Sequence, residues 1–352
     1  MTYRKGERGT QIALAISVVV VLMGGCGPQI GDDPAAGPEA VFEAFWTAYD
    51  RHYAHFHLKP VDWDEAYEQF RPQVQPHTEE EELFEILASM MTLLDDGHVY
   101  LVGGERRVVS NQGSRSRGRT FERRVAEGYL DQVKYRADRR ITYGRIGERV
   151  GYLRLSTLSG GTGFDDDVGG WIEEVDAAID DLSQMPAMIV DLRGNGGGRA
   201  SNAQYVAAHF ADKRRPFVVT RSRSGPGHGD FSAPQTWYVE PRESGSYDHP
   251  VVVLTDRSTF SAAEWLTLAL RQFEGVTHLG MQSGGGLAMF LPRQLPNGWM
   301  HTVSVQDTRC PLGNSYERVG ITPHRHVENT HVDLEAGRDR MLEEAVKYLE
   351  RR

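Results

Sequence analysis

Cysteine is almost missing from this chain: its 352 residues include two, Cys26 and Cys310. Two thiols exclude a disulfide scaffold and a cysteine metal site. Positive charge is in deficit, with 39 Lys and Arg against 49 Asp and Glu and a formal net charge of −10. That balance argues against a nucleic-acid partner. A basic stretch from Arg106 through Arg124 to Arg149 is interleaved with acids and lacks an aromatic pattern, so it reads as a solvated face. A membrane-spanning run is also missing at the N-terminus, where the apolar segment Ile12 to Met23 falls short of the roughly twenty residues a span requires. Hydrophobic residues make up 39% of the chain, enough for a packed core.

What stands at the N-terminus has the layout of a secretory signal over residues 1–25. Arg4, Lys5 and Arg8 precede the apolar run, which ends in Leu22-Met-Gly-Gly-Cys26. Small residues before a cysteine resemble a bacterial lipoprotein box, which implies a lipidated Cys26 as the first mature residue. An uncleaved anchor, or an ordinary signal with a chance cysteine, is the alternative. Residues 26–38, rich in Gly, Pro and Asp, read as a flexible tether. The expected location is the cell envelope, facing the periplasm. Gly27 in place of Asp after the cysteine points to the outer membrane, by resemblance to lipoprotein sorting. The oligomeric state is not legible.

Residues 39–99 read as helical. Val41, Phe42, Phe45, Trp46, Tyr49 and Tyr53 recur at helical spacing, as do Leu83, Ile86, Leu87, Met90, Met91 and Leu94. These stripes are core rather than a cofactor site. Residues 100–149 read as a small β-rich connector. From Val150 onward strands and helices alternate, which predicts a mainly parallel sheet with helices packed on it over 150–352. The fold class is therefore α/β in the core and α+β overall. The stretch 213–249, rich in Gly, Ser and Pro, is a long insertion expected to border the active site.

Two segments carry the chemistry. Pro186-Ala-Met-Ile-Val-Asp-Leu-Arg-Gly-Asn-Gly-Gly-Gly198 is a buried strand running into a glycine loop. Pro250-Val-Val-Val-Leu-Thr-Asp-Arg-Ser-Thr-Phe-Ser-Ala-Ala-Glu264 is a buried strand running toward a helix that begins at Ser261. A serine at a helix N-terminus, beside backbone N–H groups able to hold an oxyanion, suits acyl transfer. The structural alternative is a capping box, with Ser261 and Glu264 tying up the first turn. The glycine loop could equally be a plain turn. It is not a phosphate loop, because no Gly-Lys-Ser/Thr follows. Asp191 and Arg193 are expected to brace it. Cys310, in Arg-Cys-Pro-Leu-Gly, reads as a small, partly buried residue. A general base is needed. The segment Gly280-Met-Gln-Ser-Gly-Gly-Gly-Leu287 holds no lysine, which leaves histidine, and His98 stands out at a helix end after Asp-Gly.

The ordered set Val61-Asp-Trp63, Leu94-Asp-Asp-Gly-His98, Gly151-Tyr-Leu-Arg-Leu155, Val190 to Gly198, Thr259-Phe-Ser-Ala-Ala-Glu264 and Tyr316-Glu-Arg-Val-Gly-Ile-Thr-Pro323 resembles the tail-specific (C-terminal processing) serine peptidases, in the branch like the tricorn protease core. The resemblance implies a crotonase/ClpP-like α/β core behind an N-terminal helical unit and hydrolysis of peptide bonds in peptide or protein substrates, with no metal or cofactor. It implies Ser261 as nucleophile, His98 as general base and Glu317 as the acid supporting the histidine. It implies an oxyanion hole from the Ala262 amide and one from Gly196 or Gly197, with Glu264 capping or tuning. Gly97 stands where the tricorn arrangement has a relay serine, and no room remains for a full PDZ module. A catalytically inactive envelope protein that binds peptides, or a hydrolase of non-peptide acyl esters, are the alternative readings.

Overall fold

The structure, a computed structural model, describes residues 37–111, 120–160 and 168–352. The signal, Cys26 and nearly all of the tether lie outside the described residues. Among those described, no helix is long and apolar enough to cross a membrane.

Three helices open the fold: α1 (Pro38–His52), α2 (Trp63–Phe70) and α3 (Glu80–Thr92). Asp62 caps α2 by accepting from the amides of Asp64 and Glu65, and acids crowd the first turn of α3 where the helix dipole favours them. The strands β1 (Tyr100–Gly103) and β2 (Arg106–Val109), the helix α4 (Arg123–Glu127) and the strands β3 (Lys134–Arg136) and β4 (Ile141–Ile146) follow. Next come β5 (Val150–Leu155), α5 (Val168–Leu182), β6 (Ala187–Asp191), α6 (Ala200–Ala208), β7 (Arg215–Ser222) and β8 (Gln235–Val239). The chain continues through β9 (Val251–Thr255), α7 (Ala262–Leu270), β10 (Val276–Gly280), β11 (Phe290–Gln294), β12 (Met300–Ser304) and β13 (Gln306–Arg309). It closes with β14 (Arg325–His326), α8 (His331–Glu335) and α9 (Arg340–Leu349).

The central sheet has seven strands in the order β14-β10-β9-β6-β5-β4-β3. Its pairs from β5 to β14 are parallel, and β3 and β4 add an antiparallel edge. Strands β5, β6 and β9 are buried on both faces, which explains their continuous apolar sequence. One core lies under α5, α6 and α7, and a second under α9 on the opposite face.

Residues 100–149 do not form a separate connector. Their second half, β3 and β4, belongs to the central sheet. Their first half, β1 and β2, joins β11 and β12 in a four-stranded sheet against the N-terminal helices. Leu295, Trp299 and Val303 accordingly sit in the same core as Phe42, Phe45 and Leu87. The helical unit is thus completed by residues about two hundred positions later, a pairing that local periodicity does not encode. The insertion at 213–249 folds into the hairpin β7–β8, which pairs with β13.

Candidate active site

Parallel strands deliver their C-terminal ends to one edge of a sheet, and the site sits there. Strand β6 releases the chain into Asn195-Gly-Gly-Gly198, and the neighbouring β9 releases it toward Ser261 at the head of α7. The turns are tied together. The Phe260 amide donates to the Asn195 carbonyl at 2.9 Å, and Thr259 Oγ1 donates to the Leu192 carbonyl at 2.9 Å.

Ser261 has φ 58° and ψ −125°, a conformation that L-residues rarely adopt. A non-glycine residue held there between a strand and a helix is the geometry of a nucleophile elbow, and the strain it stores is of order 1–3 kcal/mol. The capping box between Ser261 and Glu264 is formed as well, but capping does not require this backbone conformation. Gly197 lies directly behind: a Cβ there would stand 2.6 Å from the Ser261 Cβ and 3.0 Å from the Ala262 nitrogen.

Of the two glycines expected to face an oxyanion, Gly197 does not fit. The Gly197 amide donates to Asn195 Oδ1 at 2.8 Å and is consumed by the loop itself. Gly196 is exposed and, among the described residues, its amide has no hydrogen-bond partner, but it is not one of the residues that line the cleft beside Ser261. Gly198 does line that cleft, with Ala262 and Ser261. Its neighbours are pinned to the chain after β5, by Leu158 N–H to the Gly197 carbonyl at 2.8 Å and Arg199 N–H to the Leu158 carbonyl at 3.0 Å. Among the described residues, neither the Gly198 nor the Ala262 amide has a hydrogen-bond partner. The cleft measures about 380 Å³. A larger hollow of about 560 Å³ at the β3–β4 edge has, among the described residues, no serine, cysteine or histidine in its walls.

Glu264 is fully buried. Its carboxylate accepts from Ser261 N–H at 3.0 Å, Ser283 Oγ at 2.6 Å and the amides of Gly285 and Gly286 at 2.8 Å each. It is a clamp between α7 and the 283–286 segment. Burial pushes its pKa up to about 7, against the pull of these donors. Asp191 braces the end of β6, binding Arg193 and the Tyr152 hydroxyl, and Arg193 continues to Asp339. Cys310 is buried in the main core, away from the walls of the cleft.

His98 is 5% exposed, with its ring between Phe260 (4.6 Å) and Phe290 (5.1 Å, stacked). Its amide donates to Asp96 Oδ1 and its carbonyl accepts from Thr302 Oγ1. Phe260 also explains Gly97. A Cβ at 97 would lie 2.8 Å from the Phe260 Cζ, and Gly284 and Gly286 press on the same ring. The place of the relay serine is filled by an aromatic ring. Restoring it with Gly97→Ser is expected to lower kcat/KM at least tenfold and stability by about 1–3 kcal/mol through overpacking, read from kinetics and thermal melts.

Glu317 sits in a buried ionic cluster with His55, Lys59 and Asp96. Its Oε2 accepts from the Leu287 amide at 3.0 Å, and its Oε1 lies 3.9 Å from His55 Nδ1. The histidine this carboxylate faces is thus His55. His55 Nε2 donates to the Gln306 carbonyl at 3.0 Å, and its Nδ1 faces Asp96 Oδ2 at 3.4 Å. Both ring nitrogens face acceptors, an arrangement that favours the imidazolium form. Lys59 Nζ lies 3.7 Å from Asp96, so two cations balance two carboxylates. His55, Asp96 and Glu317 have metal-ligand spacing, but the Lys59 ammonium takes the place of a cation. Sequence reasoning missed His55, Lys59 and Asp96. Asp96 lies inside the motif that carries His98, and that adjacency was the available signal.

Three of these groups bind protons more tightly in the folded chain. Burial lowers the pKa of His55, but Glu317 and Asp96 outweigh it and raise it above 6.5. Burial raises Glu317 and Glu264 above their ordinary 4.5. The His55 contribution is complete below pH 6.5 and is lost as pH rises through its folded value. The two glutamates destabilise in the same direction from about pH 4.5 upward. Burial lowers the pKa of His52, His57, His209, His278, His301 and His324, whose contributions to stability rise with pH over the same range. The His55 contribution is therefore read by difference. Relative to the parent chain, His55→Gln is expected to shift the slope of melting temperature between pH 6 and pH 8 toward a rise, in melts across pH.

Known proteins resemble this chain in sequence and in fold. Residues 149–327, about half of the chain, match Peptidase family S41, and residues 34–92 match the Tricorn protease C1 domain. The carboxy-terminal processing protease CtpB of Bacillus subtilis is 27% identical over 180 residues, 46% of this chain and 34% of that protein. A Synechocystis carboxyl-terminal-processing protease is 30% identical over 187 residues, 52% of this chain and 39% of that protein. The chain spans less than half the length of these relatives. A crystal structure of a candidate peptidase from Parabacteroides merdae superposes with a TM-score of 0.79 and 28% identity, covering 89% of this chain and 97% of that one. Mature CPAF shares the fold, with a TM-score of 0.67 at 13% identity. With its S41 match, its C1-type helical unit and its strained serine above a parallel sheet, the chain belongs to peptidase family S41.

Proposed function

We propose that the chain is a serine peptidase that cleaves peptide bonds through an acyl-enzyme, with Ser261 as nucleophile. The observation that carries this is the positive-φ Ser261 in the wall of the cleft, packed against Gly197, with Gly198 and Ala262 lining the same cleft. His98 takes the Ser261 proton as Oγ attacks the carbonyl carbon. The carbonyl oxygen gains the negative charge, and the Gly198 and Ala262 N–H groups stabilise it, an effect worth about 3 kcal/mol per donor. His98 then protonates the departing amine, and a water attacks the acyl-enzyme by the reverse path. Glu317 acts by holding the Leu287 amide and balancing His55. The test is intact mass after a fluorophosphonate probe: one adduct on Ser261 is expected, and none on His98→Ala. Absence of an adduct on folded protein would overturn the reading in favour of a peptide-binding role.

The basic, apolar and Gly-Gly-Cys26 sequence supports a lipid anchor at Cys26 that holds the enzyme at the envelope, facing the periplasm. Cys26→Ser is expected to move the protein from the membrane fraction to the soluble one. Retention in the membrane would refute the lipid anchor.

A further inference from the structure

The cleft beside Ser261 is closed by two indoles. Trp265, in the first turns of α7, is 3% exposed and donates Nε1–H to the Leu287 carbonyl at 2.9 Å. Trp237, on β8, packs edge-on against it with ring centroids 5.2 Å apart and donates its own Nε1–H to Thr220 Oγ1 at 3.1 Å. Both indole N–H groups are thus satisfied within the protein. What these side chains add to the cleft is ring carbon, continued by Leu287 and Met289. Among the described residues no carboxylate lines the cleft, and the charged residue in its wall is Arg199, which is engaged elsewhere in the protein. Its volume of about 380 Å³ is far more than a methyl group fills, and lies in the range of sites that enclose whole small ligands.

Position decides which part of a substrate enters. The attacked carbonyl must lie at Ser261, with its oxygen toward the Gly198 and Ala262 amides, and all three residues line this same cleft. The side chain on the α-carbon bonded to that carbonyl is the one on the acyl side of the scissile bond. We propose that the cleft receives this side chain and selects a large apolar one, such as Leu, Met or Phe, with Trp237 setting its depth. The proposal rests on Ser261 being the nucleophile. A small side chain leaves the indoles uncovered, and a lysine or arginine is desolvated without a partner. Trp237 comes from the 213–249 insertion, so the selectivity belongs to this chain's own hairpin.

The test uses the purified full chain and peptides that differ only at that residue: Ala, Leu, Phe, Lys or Glu. Leu and Phe are expected to exceed Ala by about 10²-fold in kcat/KM. Trp237→Ala is expected to cut the Leu-to-Ala ratio at least tenfold. Ratios are taken within one preparation, so a reduced folded fraction cancels. Ser201, exposed at the start of α6, also lines the cleft, and Ser201→Asp places a carboxylate there. It is expected to raise the Lys-to-Leu ratio at least tenfold. A flat series, a preference for Ala or Glu, or an unmoved Lys-to-Leu ratio in Ser201→Asp, with the Ser261 adduct still forming, overturns this proposal alone. Absence of both adduct and hydrolysis overturns the nucleophile assignment, and this proposal with it.

Discussion

Replacing Ser261 with alanine is expected to reduce peptide hydrolysis by about 10⁴-fold or more in kcat, the scale seen when a catalytic nucleophile is removed. The same residue provides a second readout, because its backbone is strained at φ 58°. Alanine retains a Cβ and the strain, whereas glycine adopts positive φ freely. Ser261→Gly should therefore be as inactive as Ser261→Ala but more stable than it by about 1 kcal/mol, since strain relief exceeds the entropy glycine adds to the unfolded chain. Melting temperature and turnover measured on both variants check this. If the serine were only a helix cap, both substitutions would leave activity intact.

Gly197→Ala is expected to destroy both activity and much of the stability, while Gly196→Ala one position earlier is nearly silent. At 197 the new Cβ would meet Ser261 Cβ at 2.6 Å, the Phe260 carbonyl oxygen at 2.9 Å and the Ala262 nitrogen at 3.0 Å, on a backbone at φ 105°. These are the backbone and Cβ of the strained turn itself, so relief requires moving Ser261. A loss of about 3 kcal/mol or more follows from combined overpacking and strain, with at least 10²-fold in kcat/KM. At 196 a Cβ meets nothing within 4 Å, and a change within about 0.5 kcal/mol is expected. Melting curves and kcat/KM for the two variants, compared side by side, test the packing. Equal effects would show that the loop does not back onto Ser261.

Much of this was legible along the chain. The apolar stripes of α1 and α3 and the buried runs of β6, β9 and β10 announce themselves because side-chain periodicity and turn residues are local signals. The strand at 276–280 and the break at Ser261 fall where the pattern places them. The choice of oxyanion glycine was not legible. Three consecutive glycines look alike in sequence, and what separates them is the Asn195 side chain consuming the Gly197 amide while Leu158 pins the next turn. The connector was misjudged for a related reason: short strands with Gly and Arg turns carry no information about which sheet they join.

By itself the sequence determined the class of this protein: an α/β sheet whose consecutive strands end in a glycine loop and a serine, preceded by a helical unit ending at His98. Local propensity, periodicity and motif order suffice for that. Only the tertiary structure decided that the Gly197 amide is used within its own loop, why residue 97 is glycine, that Glu317 faces His55, and that two indoles line the pocket. Each depends on groups far apart in the chain, Gly97 with Phe260, His55 with Glu317, Trp237 with Ser261. Distances between such groups are set by packing of the whole core rather than by any neighbouring residue.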